Sequence, residues 1–308
     1  MARALTVPMP RALSVRWIRV LTPYAYLAPA MIAIGVLILY PIGRAIYLSF
    51  HALDLMRPME GIRFVGLQHF VRMANDAAFW RSLWITLIYT AAMAVGAFGL
   101  GLVMALLLNL KFRFRVFARV LVVLPWAISP AVASLIWLWM LDQDFGVVNY
   151  VLIQLGVVST KVGWLTGGVA ALTSVTLVTI WKFTPIATVM LLAALQTIPP
   201  DLYEAARIDG ARTLQQFAYV TLPAIKPVSA LLFCLLVLWG FRRFEFIFIM
   251  TQGGPAGATE TLIVKTYQEA FRYWDIGYAS ALGTFSLAIA LLFSLGYLRL
   301  IFRQEGGI

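Results

Sequence analysis

Charge is scarce in this sequence. Only 12% of its 308 residues are charged, against 62% hydrophobic. A soluble domain carries about a quarter charged residues. The chain lacks the polar surface to cover a globule of its size, so lipid must cover part of it. Cysteine is scarcer still. Cys234 stands alone inside an apolar run, which excludes an intrachain disulfide and a cysteine metal cluster. The two histidines, His51 and His69, form no His-Glu-x-x-His pair, and no Gly-x-Ser-x-Gly elbow occurs. None of the five lysines sits in the Gly-x4-Gly-Lys-Ser/Thr pattern of a phosphate-binding loop. ATP, if used, is therefore hydrolysed by another chain. No long apolar run contains aspartate, so an intramembrane aspartyl protease is unsupported. The sequence offers no catalytic residue and no metal ligand set.

What is present is apolar length. Roughly 20 apolar residues span a bilayer. Six stretches qualify, at about 24–50, 82–110, 116–140, 168–196, 225–250 and 278–302. The fold expected is an all-α integral membrane protein with six transmembrane helices. A segment 1–23 precedes the helical domain at 24–303, and a tail 304–308 follows it. The first run is too long for a signal-peptide core of about 7–15 residues, so it reads as a retained span. Pro41, Pro125, Pro130 and Pro185 lie within runs, where neighbouring helices can satisfy the freed carbonyls. The outer loops at about 51–81, 141–167 and 251–277 are too short to bury separate cores.

The net charge of +11 raises the possibility of nucleic acid, but a DNA binder gathers its basic residues on one soluble face. Here they punctuate apolar runs. With the N-terminus inside, the inner segments hold 13 Lys and Arg, among them Arg3, Arg11, Arg16 and Arg19, against 7 in the outer ones. That asymmetry puts both termini in the cytoplasm. Acidic residues lean the other way, 8 outside against 4 inside.

The loop between the fourth and fifth runs reads IPPDLYEAARIDGARTLQQFAYVTLPAIKP, from Ile198 to Pro227. Pro199 and Pro200 block helix from behind. Asp201 can cap, with Glu204 three residues on. Gly210 permits the left-handed turn that ends the first short helix. Thr213 and Gln216 start a second, and Pro223 is expected to stop it. Ala205 and Ala206 leave room for another backbone to approach, and Glu204 offers a charge to a basic partner. The same residues fit an amphipathic helix lying in the membrane interface equally well. Three acids balance three bases here, which excludes a DNA-reading face.

Glu204-Ala205-Ala206, Asp209-Gly210-Ala211 and Leu222-Pro223 together resemble the EAA motif of binding-protein-dependent ABC importer permeases. Other segments are similar to the same family: FVGLQHFVRM at 64–73, FWRSLWITL at 79–87, RVLVVLPWAISPAVASLIWLWML at 119–141 and DFGVVN at 144–149. TQGGPAGATETL at 251–262, YQEAF at 267–271 and GYASALG at 277–283 resemble its carbohydrate branch, specifically the maltose-type first permease of a pair. The likeness covers roughly 24–303. It departs from the maltose permease in having six spans and no large outer domain.

The resemblance implies an ABC importer type I permease fold. It implies a cytoplasmic coupling loop at about 198–224 that docks into a separate ATPase through Glu204, Ala205, Ala206, Asp209, Gly210 and Ala211. The implied partners are a second permease subunit, two ATPase subunits, an extracellular or periplasmic sugar-binding protein, the sugar itself and membrane lipid, with no nucleic acid. No cofactor is expected on this chain; ATP and magnesium belong to the ATPase. The implied location is the bacterial or archaeal cell membrane. Carried over from the family, the substrate pathway matches Thr179, Lys182, Phe183, Ile186, Trp239, Gly240 and Arg243. Aromatic faces beside polar groups suit sugar rings.

Charge inside the runs leaves a question open. Lys182, Arg242 and Arg243 face a single acid, Glu245. Arg242 and Glu245, three apart, could pair on a helix. An anionic sugar would answer the excess, because guanidinium binds two oxygens at once. A neutral sugar would leave Arg243 facing backbone carbonyls or the interface. A lone ion-coupled transporter would want an acidic ion site and paired repeats. Glu245 alone, with no repeat, argues against it.

Overall fold

A computed structural model of the chain describes residues 24, 26–57, 59 and 61–305. The expected segment 1–23, with Arg3, Arg11, Arg16 and Arg19, lies outside the described residues, as do 306–308 of the tail. The described residues are mostly helical, with one two-residue antiparallel ladder, β1 (His51–Ala52) with β2 (Arg63–Phe64), and an isolated bridge between Asp54 and Asp275.

Helix α1 runs Tyr26–Ser49, with a π-helical stretch at Gly35–Leu39, and rests along the last helix. After the ladder come α2 (Gln68–Asn75) and the long α3 (Ala77–Asn109). Then follow α4 (Arg115–Ala127), α5 (Pro130–Met140) and α6 (Val147–Gln154). Helix α7 (Gly168–Gln196) leads to the short α8 (Pro200–Ile208). Helix α9 starts at Thr213–Gln216, passes through a π-helical Phe217–Thr221 and continues as Leu222–Phe241. The chain ends with α10 (Glu245–Thr251), α11 (Leu262–Phe271) and α12 (Ile276–Glu305).

Five helices are long and apolar enough to cross a bilayer, and the α4–α5 pair makes six if it counts as one bent span. That pair fills the apolar run expected at 116–140. It bends by 96° between Ala127 and Pro130. The cause is local. Proline excludes its predecessor from helical backbone, and Ile128 and Ser129 are both extended, with ψ of 136° and 139°. A departure from expectation lies at Pro223. It does not stop a helix: the π-helical Phe217–Thr221 leads straight into Leu222–Phe241 with Pro223 in the first turn of that segment, so the loop helix and the fifth span are continuous.

Helices α3 and α7 form the centre. Gly101 lets them meet: a Cβ there would lie 2.5 Å from the Ala187 Cβ. Met93, Ala97, Ala187, Leu191, Ile225, Leu232 and Leu236 knit α3, α7 and α9 into one core. Hydroxyls on α7 are satisfied within the helix: Thr176, Thr179, Thr184 and Thr188 each donate to the carbonyl four residues earlier. The outward faces remain apolar and exposed, as lipid or another subunit requires.

Candidate functional site

Two regions hold the residues singled out from the sequence. The first is the loop that carries α8. Pro200 takes the first helical turn, where its ring is pre-shaped for helix. Asp201 lies in that turn but does not cap it; the N-cap is Pro199, with no side-chain hydrogen bond. The far end closes as expected. Gly210 has φ of +79°, its N–H donates to Arg207 O at 3.0 Å, and the Ala211 N–H donates to Ala206 O at 2.9 Å. That pair is a Schellman ending. The Arg212 N–H then donates to Gln215 Oε1 at 2.8 Å, which starts the next turn. A hydrogen bond of 2.9 Å between Tyr203 and Thr221 pins α8 to α9.

The loop presents its motif outward. Glu204, Ala205, Asp209 and Gly210 are exposed, and Ala206 and Ala211 partly so. Ile208 is 86% exposed and Leu214 82%. Large apolar side chains this bare, beside small ones and a carboxylate, fit a protein partner or the membrane interface.

The second region joins α7 and the end of α9. Phe183 and Trp239 lie with ring centroids 5.8 Å apart, and the Arg243 guanidinium sits 4.7 Å from the centre of the Phe183 ring. Glu245 holds Arg243 at 3.4 Å, and the Arg243 Nε is buried without an acceptor. The partner of Glu245 is thus Arg243 and not Arg242. The turn at Arg242 breaks the helix between α9 and α10, so the three-residue helical spacing never forms. Ile186 is partly buried and belongs to the core between α7 and α9. Gly240 packs against Thr90 and Met93. Thr179 is fully buried, where its hydroxyl meets the Tyr89 hydroxyl at 2.9 Å. Phe183, Trp239 and Arg243 therefore converge, while Thr179 and Gly240 lie deeper among the helices.

Lys182 goes elsewhere. Its ammonium donates to Pro125 O at 2.9 Å, Trp126 O at 3.1 Å and Ile128 O, the carbonyls that the α4–α5 bend sets free. The residue is 4% exposed.

Sequence reasoning missed one cluster on the opposite end from α8. Lys265 of α11 is buried and meets Asp76 at 3.4 Å, Glu269 at 3.6 Å and Glu260 at 4.0 Å. Arg72 joins Asp275 at 2.6 Å and lies over the Tyr278 ring. Burial raises the pKa of Glu269, with Lys265 and Arg72 acting against it. Only the lysine and glutamate spacing of four on α11 was visible in the sequence. Glu260 is five residues away, but Asp76 meets Lys265, and Arg72 meets Asp275, across about two hundred residues of chain.

Residues 97–305 match the family described as binding-protein-dependent transport system inner membrane component. The chain is 36% identical over 275 residues to the sulfoquinovosyl glycerol transport system permease protein SmoG of Agrobacterium fabrum, which covers 89% of this chain and 88% of that one. It is 33% identical over 279 residues to the trehalose/maltose transport system permease protein MalF of Thermococcus litoralis, covering 90% and 92%. A solved bacterial ABC transporter involved in import of the acidic polysaccharide alginate contains a chain of the same fold. The TM-score is 0.80 at 25% identity, and the match covers 94% of this chain and 98% of that one.

Proposed function

The chain belongs to the binding-protein-dependent transport system inner membrane components, and from that premise we propose that it forms half of the translocation pathway of an ATP-driven importer for a sugar or oligosaccharide. It is an ABC importer permease. Its cargo is inferred from its relatives, whose names specify sulfoquinovosyl glycerol and trehalose or maltose, and from the alginate importer. All are carbohydrates. The observation that carries the reading is α8 itself: a short, exposed helix held between two spans, ending on a left-handed Gly210 and offering Glu204 and Ala205 outward.

The partners are a second permease, two ATPase subunits that bind ATP and magnesium, and a sugar-binding protein on the outer side. The coordinates of a related alginate transporter include a periplasmic protein holding an alginate pentasaccharide, which supports the last of these. Both termini and α8 face the cytoplasm. Reporter fusions at Gln304 and near Gln215 are expected to read cytoplasm, and fusions near Gly257 the outside. A cytoplasmic signal at Gly257 would contradict this arrangement.

Phe183, Trp239 and Arg243 are the pathway contacts. The half-buried Trp239 ring, backed by the buried Phe183, offers an apolar face to sugar C–H groups, and Arg243, steadied by Glu245, offers N–H donors to oxygens. Uptake by the full reconstituted complex tests this. Arg243→Gln is expected to slow sugar uptake about tenfold, the worth of one good charged hydrogen bond at roughly 1.4 kcal/mol. The ATPase subunits should still co-purify. Unchanged uptake would remove Arg243 from the pathway.

A further inference from the structure

A cavity of about 700 Å³ lies where α3 and α7 end and α8 begins, between Asn109, Gln196 and Tyr203. Four cations line it: Lys111, Arg115, Arg119 and Arg207. One acid does, Glu204. Among the described residues none of these four cations makes an ion pair. Arg119 is held in place, since its Nη2 donates to Leu108 O at 3.3 Å, yet its Nε is buried with no acceptor. Like charges gathered around one cavity repel, and an anion placed among them relieves the repulsion.

The outward face of α4 narrows the choice of anion. Val116, Phe117 and Val120, on the helix that supplies Arg115 and Arg119, are 70%, 63% and 56% exposed. A ligand seated here has its charge among arginines and an apolar wall running from the cavity along the bilayer. We propose that this cavity binds the phosphodiester headgroup of an anionic membrane lipid, with its acyl chains lying along α4. Basic pockets between membrane helices take such headgroups. Because Lys111, Arg115 and Arg119 precede or belong to α4 whereas Arg207 belongs to α8, the bound phosphate ties the coupling helix to the membrane.

The test uses the assembled complex in nanodiscs of phosphatidylcholine, with or without phosphatidylglycerol, and counts retained phosphatidylglycerol by native mass spectrometry. A cation near an anionic lipid is worth about 1 kcal/mol. Arg115→Gln should therefore weaken retention about fivefold, and Arg115→Gln with Arg119→Gln about thirtyfold. The single variant leaves the half-buried Arg119 intact, so a folding failure in the double variant leaves the decision with Arg115→Gln alone. Lys226→Gln, outside this cavity, should change nothing. Equal retention by Arg115→Gln and the unaltered chain would overturn the proposal. So would retention of inorganic phosphate in phosphatidylcholine discs, weakened as much by Arg115→Gln, which would make the ligand a free anion. Loss of the ATPase from Arg115→Gln with phosphatidylglycerol still held would give the cations to that subunit instead.

Discussion

Replacing Lys182 with methionine is expected to destabilise the protein by about 3 kcal/mol and to abolish uptake. The bend between α4 and α5 frees carbonyls at Pro125, Trp126 and Ile128 that no helical N–H can reach. The Lys182 ammonium carries three donors and reaches all three. Methionine matches the length and keeps none of the donors. Each buried carbonyl left unpaired costs roughly 1–3 kcal/mol, partly offset because a charge no longer has to be buried. The thermal midpoint of the purified complex measures the loss. A variant with an unchanged midpoint that fails only in sugar uptake would return Lys182 to the substrate pathway.

Gly210→Val and Glu204→Lys are expected to lower substrate-stimulated ATP hydrolysis at least tenfold while leaving membrane insertion intact. The two act differently. No atom lies within 4 Å of a Cβ built at Gly210, so valine meets no clash there. It meets its own backbone: at φ of +79° a β-branched residue is strained by more than about 1–2 kcal/mol. The Schellman ending then opens and α8 loses its fixed angle to α9. Glu204→Lys leaves the helix in place and reverses the exposed charge offered to the partner. Tenfold is roughly 1.4 kcal/mol of lost coupling. Normal stimulation in both variants would make α8 an interfacial helix and nothing more.

The spans and the α8 turn were legible because they rest on local rules. Apolar length marks a span wherever the neighbours lie, and a glycine after a short helix marks its ending. Two prolines, 125 and 130, were visible too, but a proline may kink, cap or simply be tolerated. The choice depends on whether something satisfies the freed carbonyls, and Lys182 sits more than fifty residues away. Pro223 was misjudged for a related reason. Proline breaks a helix from inside and starts one from its first turn, and only the π-helical stretch before it decides which. The charge excess of Lys182, Arg242 and Arg243 over Glu245 remains, but two of the three cations have partners inside the fold. Lys182 spends its charge on carbonyls and Arg243 on Glu245, so Arg242 is left as the one without a hydrogen bond or ion pair among the described residues of that set. The excess alone therefore no longer calls for an anionic sugar. The Lys265 cluster was hidden, because Asp76 lies nearly two hundred residues from Lys265 in the chain.

The most direct test of the importer account is a cross-link from α8 to the ATPase. Cys234 is the chain's single cysteine and is buried, so a thiol introduced by Ala205→Cys on the exposed face of α8 is this chain's one exposed thiol. In the assembled complex a short bifunctional reagent, reactive toward thiols at one end and amines at the other, should join it to the ATPase subunit. The yield should change when ATP closes that subunit. The account predicts that adduct, and predicts that Gly210→Val in the same background reduces it. If the ATPase co-purifies in full yet no adduct forms from position 205, the coupling surface lies elsewhere and the account of this loop is contradicted.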